Sequence, residues 1–128
     1  MEDLIIVKRE KKYNFNEMAI KPLLKVSYKK GRFHISSEAA KILDVKANDG
    51  VMFAFNMKDR KAWIFKESEP DAFMVRERTN ENQLNFTSVE LAEYFDKCFK
   101  PKIYPATFEV SCVFEPKKDV CMFPIYAR

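Results

Sequence analysis

Residues Gly31 to Gly50 read GRFHISSEAAKILDVKANDG, and they hold both glycines of the 128-residue chain. After Gly31, Phe33 and Ile35 alternate with Arg32 and His34. That period of two is the mark of a strand with one buried face. Ser36 follows at the position of a helix N-cap, where its hydroxyl can accept a backbone N–H that the first turn leaves unpaired. Glu38 then falls in the first turn, where a negative charge suits the helix dipole. Ala39, Ala40, Ile42 and Leu43 supply one apolar face over about two turns. Asn48-Asp49-Gly50 is strong turn chemistry and ends the unit.

Working outward, LLKVSY before Gly31 sets Leu24, Val26 and Tyr28 against Lys25 and Ser27, a second half-buried strand. After Gly50, VMFAF and AWIF flank the polar run NMKDRK and read as a β-hairpin. A short strand is expected at Leu4–Val7. Residues 67–82 form a charged, Pro-containing linker whose apolar middle, Ala72 to Val75, either adds a short strand or lies across the core. The same order then returns. QLNF alternates. Thr87 and Glu90 have the Thr-x-x-Glu spacing of a capping box. Leu91, Tyr94 and Phe95 give a helix its apolar face. ATFEVSCVF and VCMFPI read as strands joined by a turn at EPKKD. Ile35-Ser36-Ser37 aligns with Phe86-Thr87-Ser88, 51 positions on, and Phe53 and Phe55 align with Phe108 and Val110, 55 positions on.

The expected fold is therefore mainly β with short helices (α+β). It is built from two tandem β-α-β-β units within a single domain, residues 1–128. Residues 1–22 are an N-terminal extension, 23–66 the first unit, 67–82 the linker and 83–128 a second, degenerate unit.

Composition narrows the function classes. With 47% apolar and 33% charged residues the chain reads as globular. The N-terminus lacks the basic start and long apolar stretch of a secretory signal, and no segment approaches the roughly 20 apolar residues of a membrane span. Three cysteines, Cys98, Cys112 and Cys121, do not form a closed disulfide framework and lack C-x-x-C zinc spacing. Free thiols and a cytoplasmic location are expected, with Cys112 and Cys121 as core or semi-buried fillers on paired strands. The single histidine, His34, has no carboxylate or thiol near it in sequence to form a nucleophile–base pair, and two glycines cannot make a phosphate loop. No enzyme, metal, cofactor or small-molecule substrate is expected. Net charge is +4, unevenly spread: residues 1–65 carry fourteen Lys/Arg against eight Asp/Glu, and residues 66–128 carry nine against eleven. Such asymmetry can mark a polyanion-binding face.

The stretch from Lys25 to Phe55, with AWIFK after it, resembles the AbrB/SpoVT-type swapped-hairpin proteins, which include transition-state regulators and antitoxins. Gly31-Arg32, Ile35, Glu38, Leu43, Val45 and Asp49 match that pattern without a gap, over residues 24–66. Ser36 stands where the family usually has Pro, and Asp44 where it usually has Gly. In the family two hairpin units from two chains interleave, so the resemblance implies that this chain supplies both halves of one barrel. It also implies a DNA-binding protein of bacterial or phage origin. Lys25, Arg32 and Lys41 fall at the family's DNA-contacting positions, Lys29 and Lys30 flank them, and Lys46 lies at the helix end. Ala40 stands where many members have another Arg. In the second unit Gln83 replaces the Arg, and Glu90, Glu93 and Asp96 would repel phosphates, so the first unit is expected to do the binding. The alternative is a protein-interaction or structural module, of phage or mobile-element origin, that keeps the barrel, binds a protein partner or itself, and has lost the DNA. An enzyme of the related double-psi barrels is a remote third reading.

Overall fold

In the computed structural model, which describes residues 21–77, 83–117 and 120–128, the alternation around Gly31 becomes two antiparallel strands. These are β1 (Leu23–Ser27) and β2 (Arg32–Ile35). Leu24, Val26, Phe33 and Ile35 point inward; Lys25, Ser27, Arg32 and His34 share the outer face. The strand expected at Leu4–Val7 lies outside the described residues.

Ser36 caps α1 (Ser37–Leu43), its Oγ accepting from Ala39 N at 3.1 Å. The hydroxyl does more than cap. It also accepts from Leu23 N at 2.8 Å and donates to Lys21 O at 2.6 Å, and the residue is fully buried. One side chain thus ties the start of β1 to the start of α1. Asp44 closes the helix in the left-handed region, at φ 58. β3 (Gly50–Asn56) and β4 (Lys61–Lys66) form the expected hairpin, with Phe55 opposite Ala62.

Part of the stretch read as a linker is strand: β5 (Phe73–Met74) pairs with β3, and β6 (Arg76–Glu77) pairs with β7 (Leu84–Thr87). Residues 78–82 of that stretch lie outside the described residues. α2 (Val89–Phe99) follows β7, then β8 (Ala106–Val110), β9 (Glu115–Lys117) and β10 (Val120–Ala127).

Five expectations for the second half need correcting. The cap of α2 is Ser88, whose Oγ accepts from Leu91 N at 3.1 Å; Thr87 is still strand, so the Thr-x-x-Glu box does not form. The strand expected over ATFEVSCVF stops at Val110. Ser111 there binds its own neighbourhood, accepting from Val113 N and donating to Val113 O, which breaks extended pairing. The first residues of the expected EPKKD turn are instead β9, paired with β10. Cys112 and Cys121 are consequently exposed rather than core fillers, and only Cys98 is buried. On α2, Leu91 and Phe95 are buried as expected, whereas Tyr94 is half exposed and stacks on Phe55 at 5.6 Å.

All pairs are antiparallel, in the order β5-β3-β4-β10-β8-β1-β2-β7-β6, with β9 beside β10. The two ends of that order, β5 and β6, are separated in sequence by Val75 alone. The result is a nearly closed antiparallel barrel with two short helices. Val75 is fully buried; it accepts from Asn48 N at 2.7 Å and donates to Asp49 O at 2.9 Å. Phe95 of α2 fills the interior, with ring centroids 5.1–6.0 Å from Phe33, Phe53, Phe55, Phe99 and Phe108.

β4 has two apolar faces. Ala62 and Ile64 join this core, while Trp63 and Phe65 join Met122 in a small cluster on the other face. The β9 arm lies against that cluster: Trp63 Nε1 donates to Glu115 Oε1 at 3.0 Å, and the Lys117 ammonium sits 4.9 Å from the indole centroid.

Two chains of cross-strand neighbours run through the barrel. Lys25 faces His34, His34 faces Asn85, and Asn85 faces Arg76. Phe55 faces Ala62, Ala62 faces Ile125, and Ile125 faces Val110. α2 has eleven residues and α1 seven. That difference of four equals the drift in spacing from 51 to 55 along the sequence.

Candidate nucleic-acid interface

The six basic residues singled out from the sequence fall into three places. Lys29 and Lys30 are exposed in the turn before Gly31. That turn lies on the first turn of α2: Gly31 has φ +64, and a Cβ there would come 2.6–2.7 Å from backbone atoms of Ser88 and Val89. Glu90 belongs to the same helical turn, so the lysines share this end of the molecule with acid.

Lys41 and Lys46 line a groove of about 640 Å³ beside α1, together with Asp44 and Glu77. Lys41 Nζ is 3.0 Å from Glu38, in an exposed pair. Asp49 accepts from the backbone N–H of Lys46 at 2.8 Å, and Lys66 Nζ lies 4.0 Å from Asp44 and 3.8 Å from Asp49. This end carries interleaved charges of both signs.

Lys25 and Arg32 are on the outer face of the β1–β2 hairpin. Ser27 faces Arg32 and Lys25 faces His34, which makes the two cations diagonal neighbours, a separation of about 7–8 Å between backbone positions. The face continues over β7 and β6. Thr87 lies opposite Arg32, Asn85 opposite His34, and Arg76 opposite Asn85. On the other side Thr107 lies opposite Lys25. The row Thr107-Lys25-His34-Asn85-Arg76 thus crosses five strands with no carboxylate in it. Lys25 and Arg76 are three strand spacings apart, about 14 Å. The nearest acid on β8, Glu109, is paired with Arg128 at 3.4 Å.

Sequence reasoning missed Arg76 because it falls in the presumed linker, and missed Asn85 and Thr87 because neither is charged. The signal was available in the spacing: Arg76 stands 51 positions after Lys25, the interval that relates Ile35 to Phe86. Gln83, at the same interval from Arg32, is buried and offers the face no cation.

Away from this face, Arg60 in the β3–β4 turn caps the end of α2, with Nε donating to Cys98 O at 3.1 Å and Nη2 to Phe99 O at 2.7 Å. Burial pushes the Cys98 thiol above its ordinary pKa, against the opposing pull of Arg60. Burial and a hydrogen bond to Asp96, 3.1 Å away, push Tyr104 strongly up as well. Among the described residues no group of three His, Cys, Asp or Glu is placed to hold a metal ion, and no helix is long and apolar enough to cross a membrane. The chain matches no known family model, curated protein or solved structure.

Proposed function

We propose that this chain is a non-catalytic protein that binds duplex DNA through the outer face of β1, β2, β7 and β6. The observation that carries the reading is the row Lys25-His34-Asn85-Arg76 with Arg32 beside it, polar and basic, free of carboxylates and continuous across four strands. Cations about 14 Å apart can reach phosphates on either side of a groove about 12 Å wide. The arrangement also supports the AbrB/SpoVT-like reading of two tandem swapped-hairpin units. In each of the two neighbour chains, equivalent residues meet at the centre and their equivalents flank them, which is the relation a two-fold axis produces. Under this reading Arg76, from the stretch read as the linker, takes the place that Lys25 has in the first unit, so binding is shared across the face more evenly than the net charges of the two units suggest.

The test is fluorescence anisotropy with a duplex of arbitrary sequence. Three phosphate contacts give a salt slope near −2.7, hence about 40-fold weaker binding at 200 mM than at 50 mM salt. Lys25→Ala with Arg32→Ala, or Arg76→Glu alone, is expected to weaken binding with melting curves unchanged. Lys41→Ala and Lys46→Ala are expected to have little effect. Absence of any anisotropy change at low salt sinks the proposal.

A second reading, an interaction module, draws on one feature. Val113 and Phe114 are exposed at the bend before β9, Val113 to 69%. Light scattering across a concentration series, with Val113→Ser/Phe114→Ser as the comparison, shows whether that bend mediates self-association.

A further inference from the structure

We propose that the concavity between β2 and β7 is a pocket for one phosphate group. It has a volume of about 310 Å³ and is lined by Arg32 and His34 from β2 and by Asn85, Phe86 and Thr87 from β7. In assigning the part of the ligand that the face grips, this rests on the nucleic-acid reading, but its chemistry can be tested separately.

Cross-strand register sets the pocket's shape. Arg32 faces Thr87 and His34 faces Asn85, so four polar side chains stand at the corners of a quadrilateral. Its sides are about 5 Å across the strands and about 7 Å along them. A tetrahedral oxyanion held by hydrogen bonds of about 2.8 Å fits within that span. Every corner can donate. Arginine offers a planar fork suited to two phosphate oxygens, the asparagine amide two N–H groups, threonine a hydroxyl and histidine a ring N–H. No carboxylate lines the pocket, and Lys25 and Arg76 flank it opposite His34 and Asn85. The floor is the β2–β7 ladder itself, whose spacing is fixed by backbone pairing and by Phe33 stacked on Phe86 beneath, with centroids 4.8 Å apart and planes 3° apart. The backbone positions from which the four donors project are therefore set before the anion arrives, which lowers the ordering cost of binding.

Among the described residues the equivalent position in the other half does not repeat the pocket's donor set. Gln83 stands in Arg32's place in the other half and is buried. The face therefore has a unique anchoring point despite its two-fold strand register. The phosphate could belong to a nucleic-acid backbone or to a free phosphate or phosphate ester.

The experiment titrates the full chain with inorganic phosphate, following the Asn85 side-chain amide and the His34 ring by NMR, in parallel with DNA binding by anisotropy. Sulfate and chloride at matched ionic strength serve as controls. Asn85→Asp places a carboxylate in the pocket at nearly constant shape, and Thr87→Val removes one donor; melting curves verify that each folds. Saturable phosphate shifts at Asn85 and His34, competition with DNA, and a loss of about tenfold or more in both on Asn85→Asp support the pocket and assign it to the backbone. Phosphate shifts lost in Asn85→Asp, with no DNA binding at all, support the pocket for a free phosphate and overturn the DNA reading. DNA binding that is indifferent to phosphate and to both substitutions overturns the pocket and leaves the DNA reading standing. No phosphate shifts and no DNA binding overturn both.

Discussion

Ser36 shows how much one buried hydroxyl can organise. It receives Leu23 N–H and Ala39 N–H and donates to Lys21 O, so Ser36→Ala leaves a buried strand amide and a helix amide without partners. The expected loss is about 2–3 kcal/mol, read as a lower midpoint in urea unfolding. Ser36→Pro is expected to do no better, because it also removes the N–H that Ser36 donates to Leu23 O at 3.0 Å. The cap itself was legible from the sequence. The other two bonds were not, because they depend on where β1 begins, and nothing local to Ser36 specifies that. The same limit explains Ser88. Thr87 and Glu90 have the better capping spacing, but Thr87 is held in the strand by pairing opposite Arg32, and tertiary pairing overrides the local signal. Two titrating side chains add a pH prediction. Cys98 and Tyr104 both have folded-state values above their ordinary 9.0 and 10.0. The unfolded chain releases those protons first as pH rises, so the fold is stabilised by them below about pH 9 and loses that contribution above it. Thermal melts are expected to hold level from pH 7 to 8 and to fall from pH 9 upward. In the native state a thiol reagent should titrate Cys112 and Cys121 quickly and Cys98 only on unfolding.

At the scale of elements, the strands and helices follow from alternation and helical spacing wherever one face is buried. β1, β2, β7 and both helices are of this kind, whereas β3 and β4 follow from two apolar runs that flank a polar turn. Periodicity gives no signal at β5, β6 and β9, which are two or three residues long and pair with a neighbouring strand; β5 is one of two alternatives open for Ala72 to Val75, on apolar character alone. No period can be read from two residues. The candidate interface failed in the same way. Lys25 and Arg32 stood out as charges near a turn, whereas Arg76, Asn85 and Thr87 became part of it only through the β2–β7 and β6–β7 registers. Lys41 and Lys46 stood out equally, yet α1 and the loop after it place them in surroundings that also contain Glu38, Asp44 and Asp49. For α2 the decisive residue is Phe95, fully buried among five other phenylalanines. Phe95→Ala is expected to cost about 3–5 kcal/mol, measured by chemical denaturation. A variant that loses less than 1 kcal/mol would show that the barrel interior can collapse around the missing ring.

For the whole molecule, the halves are interleaved rather than stacked. β1 pairs with β8, β2 with β7 and β4 with β10, so the contacts that complete each half come from the other. A single cooperative unfolding transition is expected, the same by far-UV circular dichroism and by Trp63 fluorescence. A fragment ending at residue 66 is expected to remain unfolded alone, since it lacks β7, β8 and β10. The sequence repeat pointed to two units and the family resemblance to an expectation that they interleave, whereas which strands pair is a property of register.

Val75 has one more consequence. Residues 73–77 present hydrogen-bonding edges to two different strands at once, and the buried valine between them is the hinge of that arrangement. Strand edges freed in a folded protein invite pairing with other molecules. A polar substitution at Val75 would loosen the outer edges of β3 and β7 together. The expected defect is therefore aggregation on gentle warming, at temperatures where the circular dichroism of the helices is still intact, rather than a simple loss of melting temperature.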